Sequence, residues 1–274
     1  MGILYMIGTP IGNLSDITIR ALDILKSVQL IACEDTRVTR KLLNHYDIPT
    51  KTISCNSHNW ASRIHKLSEE LDSGDIAYVT DAGMPSISDP GWEITSALRD
   101  LGHTIEVIPG VSSVTTALTI SGFDASKFSF LGFLPRKENE SMDLLSEHSQ
   151  LGNPVVFFES PYRLAKTLAR IETRFAGARI TICRELTKYY EEIFNGTLQE
   201  AINHFSDPKG EIVVILHPQE ETLDSKLDER TLEALHAEIA RMKLEGIKSK
   251  EAISEISQKL KIRRNTIYQE WINS

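Results

Sequence analysis

The chain has 274 residues, 41% hydrophobic and 25% charged, a composition that supplies a sizeable core and excludes a disordered or fibrous chain. Its formal net charge of -8 argues against a protein that coats nucleic acid non-specifically. No apolar run approaches the ~20 residues needed to span a bilayer, and the opening Met1-Gly2-Ile3-Leu4 carries no basic leader, so a cytoplasmic protein with no membrane partner is expected.

Short runs rich in Ile, Val, Tyr and Phe alternate with helical spacing, the pattern of an α/β architecture. Strands are predicted at Ile3–Ile7, Val28–Cys33, Thr52–Cys55, Ile76–Thr80, Thr104–Ile108, Phe128–Phe133, Val155–Glu159, Ile180–Arg184 and Ile212–His217. Several are apolar at consecutive positions, as expected when both faces of a strand are covered. Helical spacing falls on Ile17–Leu25, Arg63–Leu71, Trp92–Leu101, Ser112–Ile120, Tyr162–Phe175 and Leu198–Phe205. A break at Ser121-Gly122-Phe123 divides two α/β domains, 1–120 and 121–218. A polar linker and a helical tail then fill 219–274. In the tail, Leu232, Leu235, Ile239 and Met242 line one helix, Gly246 stops it, and Ser249 caps a second helix bearing Ala252, Ile253, Ile256 and Leu260. A short third helix carries Ile267, Tyr268 and Trp271, in the order of a helix-turn-helix-like unit. Arg241, Lys243, Lys248, Lys250, Lys259, Lys261, Arg263 and Arg264 make this tail basic on an acidic body.

Cys33, Cys55 and Cys183 are odd in number, widely spaced and set in apolar runs, so buried thiols are expected rather than disulfides or zinc ligands. His58 and His65 stand seven apart with no second pair of ligands nearby, and no metal site is expected.

Gly, Pro and small polar residues cluster beside the strands in Gly8–Asn13, Thr80–Gly91, Pro109–Ser113, Glu159–Arg163, Arg184–Lys188 and Pro208–Glu211. Ligands of open α/β sheets sit outside the carboxyl ends of the strands, so these loops are the default site. The loop Thr80–Gly91 holds two Pro, two Gly and two Asp and is long for an idle connection. There is no Gly-x-Gly-x-x-Gly fingerprint and no Walker A segment. Asp81 and Asp89 would repel a polyphosphate but suit a ligand with ribose hydroxyls and a positive centre, although either can also cap its own turn.

Taken in order, Thr9-Pro10-Ile11-Gly12-Asn13-Leu14, Glu34-Asp35-Thr36-Arg37, the run Asp81–Gly91, Gly132-Phe133-Leu134-Pro135, Phe158–Leu164, Arg184-Glu185-Leu186-Thr187-Lys188 and Lys209-Gly210-Glu211 resemble the ribosomal RNA small-subunit methyltransferase I family, of the tetrapyrrole-methylase fold. The resemblance spans essentially the whole chain. It implies S-adenosylmethionine as methyl donor, bound between two α/β domains, and 2'-O-methylation of cytidine 1402 in the decoding centre of 16S rRNA. The implied partners are 16S rRNA or the small ribosomal subunit and, in a homodimer, a second copy of the chain. Carried over by position, the donor site draws on Thr80, Asp81, Ala82, Gly83, Ser112, Ser113, Leu186, Lys209, Gly210 and Glu211, with Pro10 and Gly12 along the cleft. Met84 departs from the pattern by replacing a small polar residue, and Trp60 stands where the family has an acid.

Methyl transfer from a sulfonium is an in-line displacement, so alignment supplies much of the acceleration. A ribose hydroxyl is a poor nucleophile and calls for a proton acceptor. Glu34, Asp35, Glu185 and Lys188 follow strands on the appropriate edge and are the candidates, with a helix cap and internal ion pair as the competing reading of Glu34-Asp35-Thr36-Arg37. Arg37, Arg136, Arg163, Lys261, Arg263 and Arg264 are the candidate RNA contacts, with solvated surface charge as the alternative. Two other functions compete: methylation of a small tetrapyrrole on the same fold, for which the basic tail is superfluous, and a DNA-binding regulator that recognises its site through the tail helices.

Overall fold

The computed structural model describes residues 2–217, 229–260, 262 and 264–273. Met1–His217 form one compact unit and Pro218–Ser274 a second. The first unit carries two five-stranded sheets.

The first sheet is built from β1 (Ile3–Ile7), β2 (Leu30–Cys33), β3 (Lys51–Ser54), β4 (Ile76–Val79) and β5 (Thr104–Ile108) in the order β3-β2-β4-β1-β5. Every pairing is parallel, so all five strands deliver their carboxyl ends to one edge. The connecting helices are α1 (Ile19–Ser27), α2 (Thr36–His45), α3 (Trp60–Ser73) and α4 (Trp92–Asp100). One face of the sheet packs Leu4, Met6, Ile76 and Tyr78 against Leu67, Leu71, Ile94 and Leu98; the other packs Ile7, Ile31 and Val79 against Ala21, Leu25 and Leu43. Burial on both faces is why β2 and β4 are apolar at every position. Thr18 caps α1 by accepting the Ala21 N–H at 3.1 Å, and Asp35 caps α2 by accepting the Arg37 N–H at 2.8 Å. Helix α2 is absent from the predicted helices because its sequence is largely polar and buries only Thr39, Leu42 and Leu43.

Helix α5 (Ser113–Ser121) leads into the second sheet, and the division expected at residue 120 falls inside it. Its Val114, Ala117 and Leu118 pack on Val156, Val213 and Ile215 of that sheet. The remaining elements are β6 (Ser129–Phe133), α6 (Glu138–Ser149), β7 (Val155–Glu159), α7 (Pro161–Arg174), β8 (Arg179–Arg184), β9 (Glu192–Thr197), α8 (Leu198–His204) and β10 (Ile212–His217). The order is β6-β7-β10-β8-β9, with β6 parallel to β7 and β10 running against both β7 and β8. Ile212 therefore pairs with both Glu159 and Arg184, which sets the start of β10 beside the ends of β7 and β8. Strand β9 and helix α6 are additions to the predicted elements. Alternating burial along β9 leaves Glu192, Phe194 and Gly196 half-covered and the residues between them exposed, so it carries no continuous apolar run.

The second unit contains α9 (Glu229–Leu244), α10 (Ser249–Leu260) and α11 (Arg264–Asn273). Leu235, Ile239, Met242, Ala252, Ile253, Ile256, Ile262 and Ile267 form its core, in close agreement with the expected helix faces. Gly246, at φ 70°, takes the left-handed position that ends α9. The Ala252 N–H donates to the Lys248 carbonyl, so Lys248 caps α10, one residue before the expected cap at Ser249. No described helix is long and apolar enough to cross a membrane.

Candidate functional site

A cavity of about 450 Å³ lies between the two sheets of the first unit, within the roughly 300–1,000 Å³ usual for small-molecule sites. The first sheet lines it through the loops after β4 and β5, and the second through the loops after β7 and β8 and the loop before β10. Two contacts bring these loops together. Thr9 and Gly83 exchange backbone hydrogen bonds of 2.9 and 3.0 Å, which sets Ile11 on the wall. The Gly110 N–H donates to the Met84 thioether sulfur at 3.2 Å, tying the loop after β5 to the loop after β4. Gly8 and Gly110 touch at their backbones: a Cβ on Gly110 would lie 2.8 Å from the Gly8 Cα.

The wall is apolar through Ile11, Val114, Leu186 and Val213 and acidic through Asp81, Asp89, Glu159 and Glu211. The Asp89 loop is tightly folded, with the Ser86 N–H donating to the Pro90 carbonyl and with Ser86 and Ser88 at φ 73° and 62°. Such left-handed non-glycine residues concentrate where a scaffold holds a functional loop. Burial pushes the Asp89 carboxyl up to about 6, helped by the charges of Glu34, Asp81 and Glu211. Burial also raises Glu34, helped by the charges of Asp81 and Asp35, and raises Asp81, helped by the charge of Asp35. The Asp81 N–H faces the Glu34 carboxylate at 3.5 Å, and the Asp81 carboxylate accepts the Asp35 N–H at 3.1 Å. Asp81 also lines a second, polar cleft with Glu34, Asp35, Ser54, Asn56 and His58.

Acids on the second sheet are instead neutralised. Glu159 has a fully buried side chain that accepts from the Ser160 N–H at 2.7 Å and the Thr167 hydroxyl at 2.7 Å, and pairs with Arg163 Nε at 3.3 Å. Lys188 Nζ bridges Glu185 and Glu211 at 2.9 Å each. Burial opposes the Lys188 charge, but the two carboxylates outweigh it and raise its pKa, which argues against the proton-acceptor role for which it was a candidate. Burial likewise pushes Glu185 up, but the Glu211 N–H and Lys188 outweigh it, and the net shift is downward. Asp35 is held down to about 2 by its side-chain and backbone hydrogen bonds from Arg37, so the capping alternative describes it. Of the three candidate carboxylates, only Glu34 has a raised pKa.

Eight of the residues carried over for the donor line the cavity: Asp81, Ala82, Gly83, Ser112, Ser113, Leu186, Gly210 and Glu211. Pro10, Gly12, Thr80 and Lys209 do not line it. Thr80 is buried behind the wall, where its carbonyl accepts the Thr9 hydroxyl, and Pro10 is also buried. Gly12 packs against Leu186 and Lys188, and the Lys209 carbonyl accepts from Arg184. Sequence reasoning placed Glu159 in one of the default-site loops but gave it no role of its own, although a carboxylate ending the apolar run Val155–Glu159 was a readable signal. It also left out Phe133, Phe158 and Val213, which carry no signal beyond being apolar.

Among the RNA candidates, Arg136 is exposed, and Arg37 is exposed but paired with Asp35 at 2.6 Å. Arg163 is turned inward onto Glu159 and the carbonyls of Leu134 and Pro135, so it organises the loop after β6 instead of meeting solvent phosphate. Lys261 and Arg263 lie outside the described residues, as does the side chain of Arg264. The three cysteines are free and buried. Among the described residues, no group of three or more His, Cys, Asp or Glu is arranged to hold a metal ion.

The sequence profile of the Tetrapyrrole (Corrin/Porphyrin) Methylases matches residues 3–202. A ribosomal RNA small subunit methyltransferase I from Halalkalibacterium halodurans is 40% identical over 273 residues, covering 97% of this chain and 93% of that protein. One of the same description from Thermotoga maritima is 46% identical over 223 residues, covering 80% of this chain and all of that protein. Among solved structures, diphthine synthase aligns with a TM-score of 0.64 at 13% identity over 78% of this chain and 90% of that one. Cobalt precorrin-4 methyltransferase aligns at 0.59 with 18% identity over 78% and 94%. At such identities the structural likeness speaks for the fold alone. The profile match and the near full-length relatives make this chain a member of the tetrapyrrole methylase family, in its ribosomal RNA small subunit methyltransferase I branch.

Proposed function

We propose that the chain transfers a methyl group from S-adenosylmethionine to the ribose 2'-oxygen of a decoding-centre cytidine in small-subunit ribosomal RNA, and does so in the cytoplasm. The observation that carries this reading is the cavity itself, in which an apolar wall meets two acids, Asp81 and Asp89, that form no ion pair among the described residues. Such a wall suits a donor that combines an aromatic base, ribose hydroxyls and a sulfonium. Asp81 and the loop through Gly83 would hold the donor from the first sheet, and Leu186 with Gly210 from the second. Once bound, the donor supplies an electrophilic methyl group.

The chain's own task is to fix the acceptor oxygen in line and to take its proton. The polar cleft that shares Asp81 with the cavity supports an approach route for the acceptor nucleotide. Arg37 and Arg136 would meet phosphates nearby, and the basic tail would grip the RNA backbone. Relatives described as acting on small-subunit ribosomal RNA support the substrate class. The test is to incubate unmethylated small ribosomal subunits with the protein and S-adenosylmethionine and to digest the RNA to nucleosides. Mass spectrometry should find 2'-O-methylcytidine. Methylation of the base, or none by protein that binds the donor, would refute the reading.

A further inference from the structure

Four carboxylates stand on the cavity wall, and three of them are engaged. Asp81 accepts the Asp35 N–H, Glu159 takes three donors, and Glu211 is held by Lys188. Among the described residues, no hydrogen bond or ion pair ties down the fourth, Asp89. It projects from the strained turn Ser86–Pro90, whose Ile87 and Ser88 also line the cavity. We propose that Asp89 is the catalytic proton acceptor for the hydroxyl that attacks the methyl group, a proposal that rests on the cavity being the methyl-transfer site.

In that step the O–H bond breaks and its proton passes to the Asp89 carboxylate. The oxygen's electron pair forms the new O–C bond, and the C–S bond breaks with its pair returning to sulfur. A sulfonium, a hydroxyl and a carboxylate thus become a neutral thioether, an ether and a carboxylic acid, and charge balances. The charged and titratable groups facing Asp89 are Glu34 after β2, Tyr78 and Asp81 in and after β4, and Glu211 before β10; with burial, the three acids place its titration at about 6. A base that titrates just below the working pH is ionised and still has appreciable proton affinity.

The experiment uses the full chain, its D89N variant and its E34Q variant. Calorimetry with S-adenosylmethionine gives donor affinity, single-turnover transfer to small subunits gives the rate from pH 5 to 9, and carbon-13 spectra of labelled aspartate follow the carboxyl titration. D89N should bind donor within about threefold of the parent, yet lose on the order of a hundredfold or more in transfer at saturating donor. Its profile should lack the limb that rises through about pH 6 in the parent, and E34Q should move that limb to lower pH by removing a neighbouring negative charge. Transfer by D89N within a few-fold of the parent at saturating donor, or an unchanged limb, would overturn the proposal. So would a loss recovered wholly by raising donor concentration, which would make Asp89 a donor-binding group. A parent protein that binds donor but methylates no subunit would overturn the underlying reading and this proposal with it.

Discussion

At the edge of the first sheet, Glu34, Asp81 and Asp89 are each pushed above their ordinary pKa by burial first, and then by neighbouring acids: Asp81 and Asp35 act on Glu34, Asp35 on Asp81, and Glu34, Asp81 and Glu211 on Asp89. Across the cavity, Glu159, Glu185 and Glu192 each have an Arg or Lys beside them: Arg163, Lys188 and Arg184. The difference follows from topology. Parallel strands send every βα loop to the same edge, so acids that follow β2 and β4 converge there without sequence neighbours to neutralise them. In the second sheet, Arg163 and Lys188 neutralise Glu159 and Glu185 from four and three residues away, and the antiparallel β10 brings the loop before it against the ends of β7 and β8, so that Lys188 also reaches Glu211. One side of the cavity thereby leaves Asp81 and Asp89 without ion pairs among the described residues, while the other braces its acids with cations. Asp35, neutralised by Arg37, is the exception on the first sheet, and it serves as a helix cap.

The largest test of this contrast is on the braced side. Glu159→Ala leaves Arg163 only its carbonyl partners and the Thr167 hydroxyl and the Ser160 N–H without their acceptor, and urea denaturation should show a loss of about 3 kcal/mol, the low end of the scale for breaking a buried pair. A loss below about 1 kcal/mol would mean that this acid does not brace its loop. Next is Gly110→Ala, where the added methyl meets the Gly8 backbone at 2.8 Å and neither chain can yield cheaply. A cost of about 2 kcal/mol is expected in the same assay, with weaker donor binding because Gly110 also anchors Met84.

Lys188→Met should cost about 1 kcal/mol at pH 7, since its partners are only partly buried. The sign with pH is fixed by Glu185, whose folded pKa is lowered. Its contribution is present above the unfolded value of 4.5 and is lost as pH falls, so the variant and the parent should converge in acid. The smallest effect has the opposite sign. Asp89 has a folded pKa raised from 3.8 to about 6, so its ionisation penalises the fold fully above that range and not below it. After allowance for solvent screening, D89N should gain about 1 kcal/mol at pH 7, or roughly 2–4 °C in Tm, with no gain near pH 3. A variant less stable than its parent at pH 7 would show that Asp89 has a partner in the fold, contrary to the geometry.

Much of the fold was legible because buried strands write themselves as near-continuous apolar runs, as at β1, β7 and β10; the more exposed β5 also falls at its expected bounds. Helix α2 and strand β9 were not legible, since Thr36–His45 is polar apart from a narrow seam and Glu192–Thr197 alternates at a half-covered sheet edge. The loop Thr80–Gly91 announced the site by its turn residues, and Asp81, Ala82, Gly83 and Asp89 from it reach the cavity. The fate of the acids was not legible. Whether a carboxylate meets a cation depends on which loops the topology brings together, as when Lys188 reaches Glu211, 23 residues away. Arg163 was read as a phosphate contact for the same reason: its inward path to Leu134 and Pro135 exists only in the folded chain.

The most direct test of the claim that the cavity between the sheets holds the methyl donor is a calorimetric titration of S-adenosylmethionine into the full chain and into Asp81→Ala. The parent should bind one donor per chain, and the variant should bind roughly tenfold more weakly or worse, as expected for losing a hydrogen bond to a charged group. Equal affinity in the two proteins would remove Asp81 from the donor site and contradict the assignment of this cavity.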